Sequence, residues 1–106
     1  MDAPYALPGE LTIYTAAETR LALLDWLAGA PADTALGVSA DQVLDVDAAG
    51  VQLLCSLGAL LDCQGRAWRI ENGTHTLALA FEHLGLGDWY AALAVQTGDG
   101  LAGVEP

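Results

Sequence analysis

The residues best placed to do chemistry in this chain are Asp47-Ala48-Ala49-Gly50-Val51. Asp47 stands before a leucine-rich helical pattern. Its carboxylate can accept hydrogen bonds from the unpaired amides of a helix start and complement the helix dipole. Ala48 and Ala49 carry no oxygen, so nothing directly after the aspartate can act as a nucleophile or take up a phosphate. Gly50 this early in a helix costs roughly 1 kcal/mol against alanine. Its presence implies close approach by another backbone, from a neighbouring strand or from a partner. Asp41, Asp45 and Asp47 form an acidic cluster, but a calcium loop of the EF-hand type would need an oxygen ligand at 49 and a glutamate at 56, where Ala49 and Ser56 stand. A solvated acidic loop is the expected structure, with a weak magnesium site as the lesser alternative; no metal or cofactor is expected.

Other reactive side chains are scattered. His75 and His83 are eight residues apart with no cysteine or second histidine at ligand spacing. Ser39, Cys55 and Ser56 show no His–Asp arrangement in the sequence. Gly85-Leu86-Gly87 lacks the lysine of a phosphate loop. Cys55 and Cys63 share one predicted helix, about 12 Å apart along its axis, too far for a disulfide. Free thiols fit a reducing compartment. The pattern predicts a protein that is not an enzyme.

The elements that position these residues can be read in order. Pro4 and Pro8 restrict residues 1–10 to an edge strand at most. Gly9-Glu10 reads as a turn and Leu11-Thr12-Ile13-Tyr14 as a strand. Thr15 with Glu18 makes a capping box for a helix ending near Ala28, with Ala17, Leu21, Leu24 and Ala28 as its inner face and Leu27 beside them. Trp26 falls nearly opposite that face, flat on the surface or against a partner or second copy. Leu36 and Val38 mark a buried strand. Val43, Leu44 and Val46 anchor the acidic connection. Asp47 then caps a central helix to about Cys63, with Leu53, Leu54, Leu57, Leu60 and Leu61 inside and Gln52, Ser56, Ala59 and Cys63 opposite. Gln64-Gly65 stops it.

Residues 66–71 alternate as a third strand. Asn72-Gly73 is a turn and Thr74 an N-cap. Leu77, Ala80, Phe81 and Leu84 make a further amphipathic helix, and residues 88–95 a last short helix or strand. Strand, helix, strand, helix, strand, helix predicts an α/β sandwich, helices packed on a mixed or parallel sheet. One domain is expected over residues 1–106, with a core of 8–95 and a frayed glycine-rich tail of 96–106.

The chain of 106 residues has a net charge of −11, 14 acidic side chains against three arginines, and is 54% hydrophobic. Such a surface repels phosphate backbones and anionic headgroups, so nucleic acid is excluded as a partner. A basic protein surface suits it better. No apolar run is long enough to insert in a membrane. Met1-Asp2-Ala3-Pro4-Tyr5 resembles no signal peptide, so a cytoplasmic location is expected.

Three strings in this order resemble the STAS domain family, named for sulfate transporters and anti-sigma factor antagonists. Residues Gly9-Glu10-Leu11-Thr12-Ile13-Tyr14-Thr15-Ala16-Ala17-Glu18 look like its opening strand and first helix, especially in proteins encoded near chemotaxis components. Val46-Asp47-Ala48-Ala49-Gly50-Val51-Gln52-Leu53-Leu54 matches its hydrophobic–Asp–Ser/Thr–Ser/Ala–Gly–Leu element. Asn72-Gly73-Thr74, with Leu84-Gly85-Leu86, is similar to its closing helix. The resemblance implies a STAS-like (SpoIIaa-like) sandwich and a bacterial signal-transduction or transcription-regulation role through protein–protein contact. Two departures stand out. Ala48 occupies the place of the phosphorylatable Ser or Thr, and Ser39-Ala40-Asp41 replaces the family's Asp-Leu-Ser.

The implied docking surface comprises Asp47, Ala48, Ala49, Gly50, Val51, Gln52, Ser56 and Ala59, without a phosphorylation switch. The implied partner is a kinase-type anti-sigma factor or a chemotaxis protein. Alternatives are the ATPase of a lipid-transport ABC system, a nucleotide or lipid ligand, and a homodimer.

Overall fold

The computed structural model describes residues 4–31 and 34–97. Four parallel strands form the main sheet in the order β1-β3-β5-β6, with β1 at Tyr5–Ala6, β3 at Leu36–Ser39, β5 at Trp68–Glu71 and β6 at Ala94–Val95. A second, two-stranded parallel pair joins β2, Glu10–Leu11, to β4, Asp45–Val46. Parallel neighbours cannot be joined by tight turns, so helices carry the connections. These are α1 (Ala16–Gly29), α2 (Ala48–Cys63), α3 (His75–His83) and α4 (Gly87–Leu93). The expected α/β sandwich is the observed architecture, and both sheets are wholly parallel among the described residues.

The pleat divides the central strands between two faces. Val38 and Ile70 are paired in register and fully buried beneath the helices. Their neighbours point the other way. There the Arg69 guanidinium meets the Glu71 carboxylate at 2.6 Å, and the pair lies over Gly37, where a Cβ would collide with both. Leu23, Leu54, Leu61, Leu77 and Phe81 complete the helix side of the core, each almost fully buried. Burying such side chains stabilises by about 1.5–3 kcal/mol each. Phe81 also stacks on Tyr90, ring centres 4.9 Å apart, and on Trp89 at 5.6 Å. Trp89 and Trp68 reach over Gly58 of α2, which leaves room for their rings.

Several elements depart from what the sequence predicts. The strand expected at residues 11–14 ends at Leu11; Thr12 to Thr15 is a turn. The Thr15–Glu18 capping box does not form. The Thr15 hydroxyl instead accepts from the Thr12 amide at 3.0 Å and donates to the Glu10 carbonyl at 2.9 Å. Helix α1 consequently buries Thr19, Leu23 and Leu27, while Leu21 is 66% exposed. Alanine and leucine occupy nearly every angle of this helix, so its periodicity has little contrast.

Trp26 is half-buried and tilts against Tyr5 of the edge strand at 5.5 Å, an intramolecular role. Leu44 and Leu84, expected inside, are exposed. Thr97, assigned to the tail, is held by Asn72, whose side chain accepts from the Thr97 amide at 2.8 Å and donates to its hydroxyl. The rest of the expected tail, 98–106, lies outside the described residues.

Candidate functional site

Helix α2 begins where the Asp47 backbone donates to the Leu11 carbonyl at 3.1 Å, an extension of the β2–β4 pairing. The Asp47 side chain then serves two segments. Oδ1 accepts from the amides of Ala49 at 2.8 Å and Gly50 at 3.2 Å, the N-cap expected from sequence. Oδ2 accepts from the amide of Ile13 at 3.0 Å, across 34 residues of chain. These donors hold the carboxyl below its ordinary pKa of 3.8, the Ile13 amide contributing most; partial desolvation opposes them. Gly50 is packed against the Leu11 backbone, where a Cβ would sit 2.1 Å from the carbonyl oxygen. The neighbouring strand, and not a partner, accounts for this glycine.

The residues expected at a docking surface divide into two sets. Ala48, Gln52, Ser56 and Ala59 are exposed and follow one another at helical spacing along a single outer strip of α2. Asp47 and Ala49 are half-buried at its head. Gly50 and Val51 are buried, Val51 to 1% exposure, and so lie under the surface and not in it. Val51 is one position off the strip and packs into the leucine core.

Sequence reasoning missed Ile13 and Tyr14. These large apolar residues are 70% and 88% exposed. The Ile13–Asp47 hydrogen bond fastens their loop beside the head of the strip. Their turn is built from threonine chemistry: the Thr12 hydroxyl donates to Glu10 Oε2 at 2.6 Å and accepts from the Tyr14 amide at 3.2 Å. Thr12 and Thr15 were the available signal, since hydroxyls close to the backbone compete with strand pairing.

Little reactive chemistry surrounds the site. Among the described residues no group of three His, Cys, Asp or Glu side chains is placed to hold a metal ion. Burial pushes the Cys55 thiol up, away from the thiolate. No helix among the described residues is long and apolar enough to cross a membrane.

Comparison with known proteins separates fold from family. No family model and no curated protein matches the chain. Its structure superposes on that of the anti-sigma factor antagonist SpoIIAA in its unphosphorylated form, with a TM-score of 0.66 over 96% of this chain and 88% of that one. The chain has the STAS fold. Sequence identity over the match is 20%, so the likeness is one of architecture. Within this fold, Asp47 and Ala48 stand at the start of a helix whose buried face supports the domain and whose outer face is free of the core.

Proposed function

We propose that this STAS-fold chain is a non-catalytic protein-interaction module of the anti-sigma-factor-antagonist kind, fixed in one state because Ala48 takes the place of a phosphorylatable residue. One arrangement carries the reading: the small-residue strip Ala48–Gln52–Ser56–Ala59 lies open beside the anchored, apolar Ile13–Tyr14 turn. Small side chains let a partner backbone come close, and exposed aromatic and aliphatic residues supply the contacts that dominate interface energies. In a switchable relative, a phosphate after the aspartate would add roughly −1.5 to −2 charges at the helix start and reshape this contact. Ala48 removes that off switch and leaves the surface. The net charge of −11 favours a partner with a basic face and steers its approach. The cytoplasm, where a kinase-type anti-sigma factor or a chemotaxis protein would be met, is the compartment this reading requires.

The test uses partner capture from the native host, with Ser56→Arg and Ala59→Arg compared against the wild type. Both positions are exposed, so the variants are expected to melt like the wild type and bind the captured partner at least about tenfold more weakly. A folded variant that keeps full affinity removes this surface from consideration. Ala48→Ser adds a second arm: phosphorylation by a host kinase identifies the partner as the kinase-type regulator. Recovery of an ABC-transporter ATPase as the partner sensitive to both arginine variants assigns the module to transport.

A further inference from the structure

A groove of about 170 Å³ separates α1 from α2. Buried Leu23, Leu53 and Leu57 form its floor, and half-buried Leu24 and Leu60 rim it. Arg20 and Ser56 are its polar side chains. The volume compares with apolar protein cavities of about 150 Å³ that take up benzene.

Arg20 is unusual in this molecule. The chain has three cationic side chains. Arg66 donates to the Pro31 carbonyl at 2.6 Å and Arg69 pairs with Glu71. Among the described residues, Arg20 has no side-chain hydrogen bond and no ion pair. Its neighbours one turn away on α1 are Ala16, Ala17, Leu23 and Leu24, so no carboxylate stands at ion-pair spacing. A chain with 14 acidic residues thus leaves an unneutralised guanidinium at the edge of a leucine-lined groove.

We infer that this groove binds a small monoanionic amphiphile, an alkyl or aryl monocarboxylate of about six to ten heavy atoms. Arg20 pairs with the carboxylate, the Ser56 hydroxyl donates a second hydrogen bond, and the leucines take the apolar body. A nucleoside phosphate fits poorly, because it outsizes the groove and carries more charge than one guanidinium balances. The groove shares Ser56 with the docking strip, but Arg20 and Leu24 lie on α1 outside that strip, so Arg20→Gln tests the groove and leaves the docking surface intact.

The test is titration of the intact protein with sodium octanoate and, separately, octylammonium chloride, followed by NMR shifts of backbone amides and leucine methyls. Octanoate is expected to bind saturably, with shifts concentrated at Leu24, Leu53, Ser56 and Leu60. Octylammonium is expected to bind about two- to fivefold more weakly, the scale of one exposed ion pair. That order opposes the one a net charge of −11 alone would produce. Arg20→Gln should reduce octanoate to the level of octylammonium with the melting temperature unchanged. Leu24→Trp, which fills the groove, should abolish both; if it fails to fold, Arg20→Gln alone decides. Equal affinities for the two ligands, shifts scattered over the surface, no saturation up to about 10 mM, or indifference to Arg20→Gln would each overturn the site.

Discussion

Gly50→Ala should destabilise the fold although it places the best helix former in a helix. An added Cβ would stand 2.1 Å from the Leu11 carbonyl oxygen and 2.8 Å from its carbonyl carbon. Relief requires about 0.9 Å of movement even to reach the tightest contacts that real Cβ atoms make. The obstacle is backbone, so no side-chain rotation clears it. Leu11 is fully buried, and its carbonyl accepts from the Asp47 amide. Displacing it strains the core by about 1–3 kcal/mol and weakens a hydrogen bond worth about 1 kcal/mol. Helix propensity returns about 1 kcal/mol. The net expectation is a loss of about 2 kcal/mol, or roughly 10 °C in melting temperature for a domain of this size.

Gly29→Ala is the control. Nothing lies within 4 Å of its added Cβ, so it should stabilise by about 0.4–1 kcal/mol through the unfolded chain. Urea and thermal unfolding followed by circular dichroism measure both. A Gly50→Ala protein as stable as the wild type would refute the reasoning, because it would mean that β2 does not press on α2.

Two further predictions concern caps. The Thr74 hydroxyl donates to the Val43 carbonyl at 2.6 Å and accepts from the Leu77 amide at 3.2 Å. Thr74→Val keeps the shape and removes both bonds, so urea unfolding should show a loss of about 1–2 kcal/mol; an unchanged midpoint would discount the cap. Asp47 has its folded pKa lowered below 3.8, so its stabilisation is present above that value and fades as pH falls through the lower folded one. The stability gap between wild type and Asp47→Ala should be full at pH 7 and shrink below about pH 4. A gap that is constant with pH would show that the carboxylate charge is irrelevant.

Much of the architecture was legible because it rests on local signals. Asp47, Thr74 and the glycines after α2 and α3 marked helix boundaries where the structure has them; Gly65 and Gly85 both adopt positive φ. Leu53, Leu54, Leu57 and Leu61 stood out as the buried stripe of α2 because polar and small residues alternate with them. Helix α1 has no such contrast, and its inner face was misread. The pairing of β2 with β4 involves two residues on each side, too few for alternation to register. The candidate site was half legible for the same reason. Helical spacing identified the strip on α2, but the Ile13–Tyr14 turn reaches it through a single hydrogen bond between residues 34 positions apart. No local pattern encodes that contact.

The divided use of the Asp47 carboxylate has a mechanical consequence. One oxygen grips the first turn of α2 and the other grips the turn that carries Ile13 and Tyr14. This carboxylate tether adds to the Asp47–Leu11 backbone bond beside it, so movement of either piece strains the other. A molecule that tugs on Tyr14 therefore pulls on the root of the central helix. Hydrogen exchange is expected to show the Ile13, Ala49 and Gly50 amides opening together, with Asp47→Ala speeding all three.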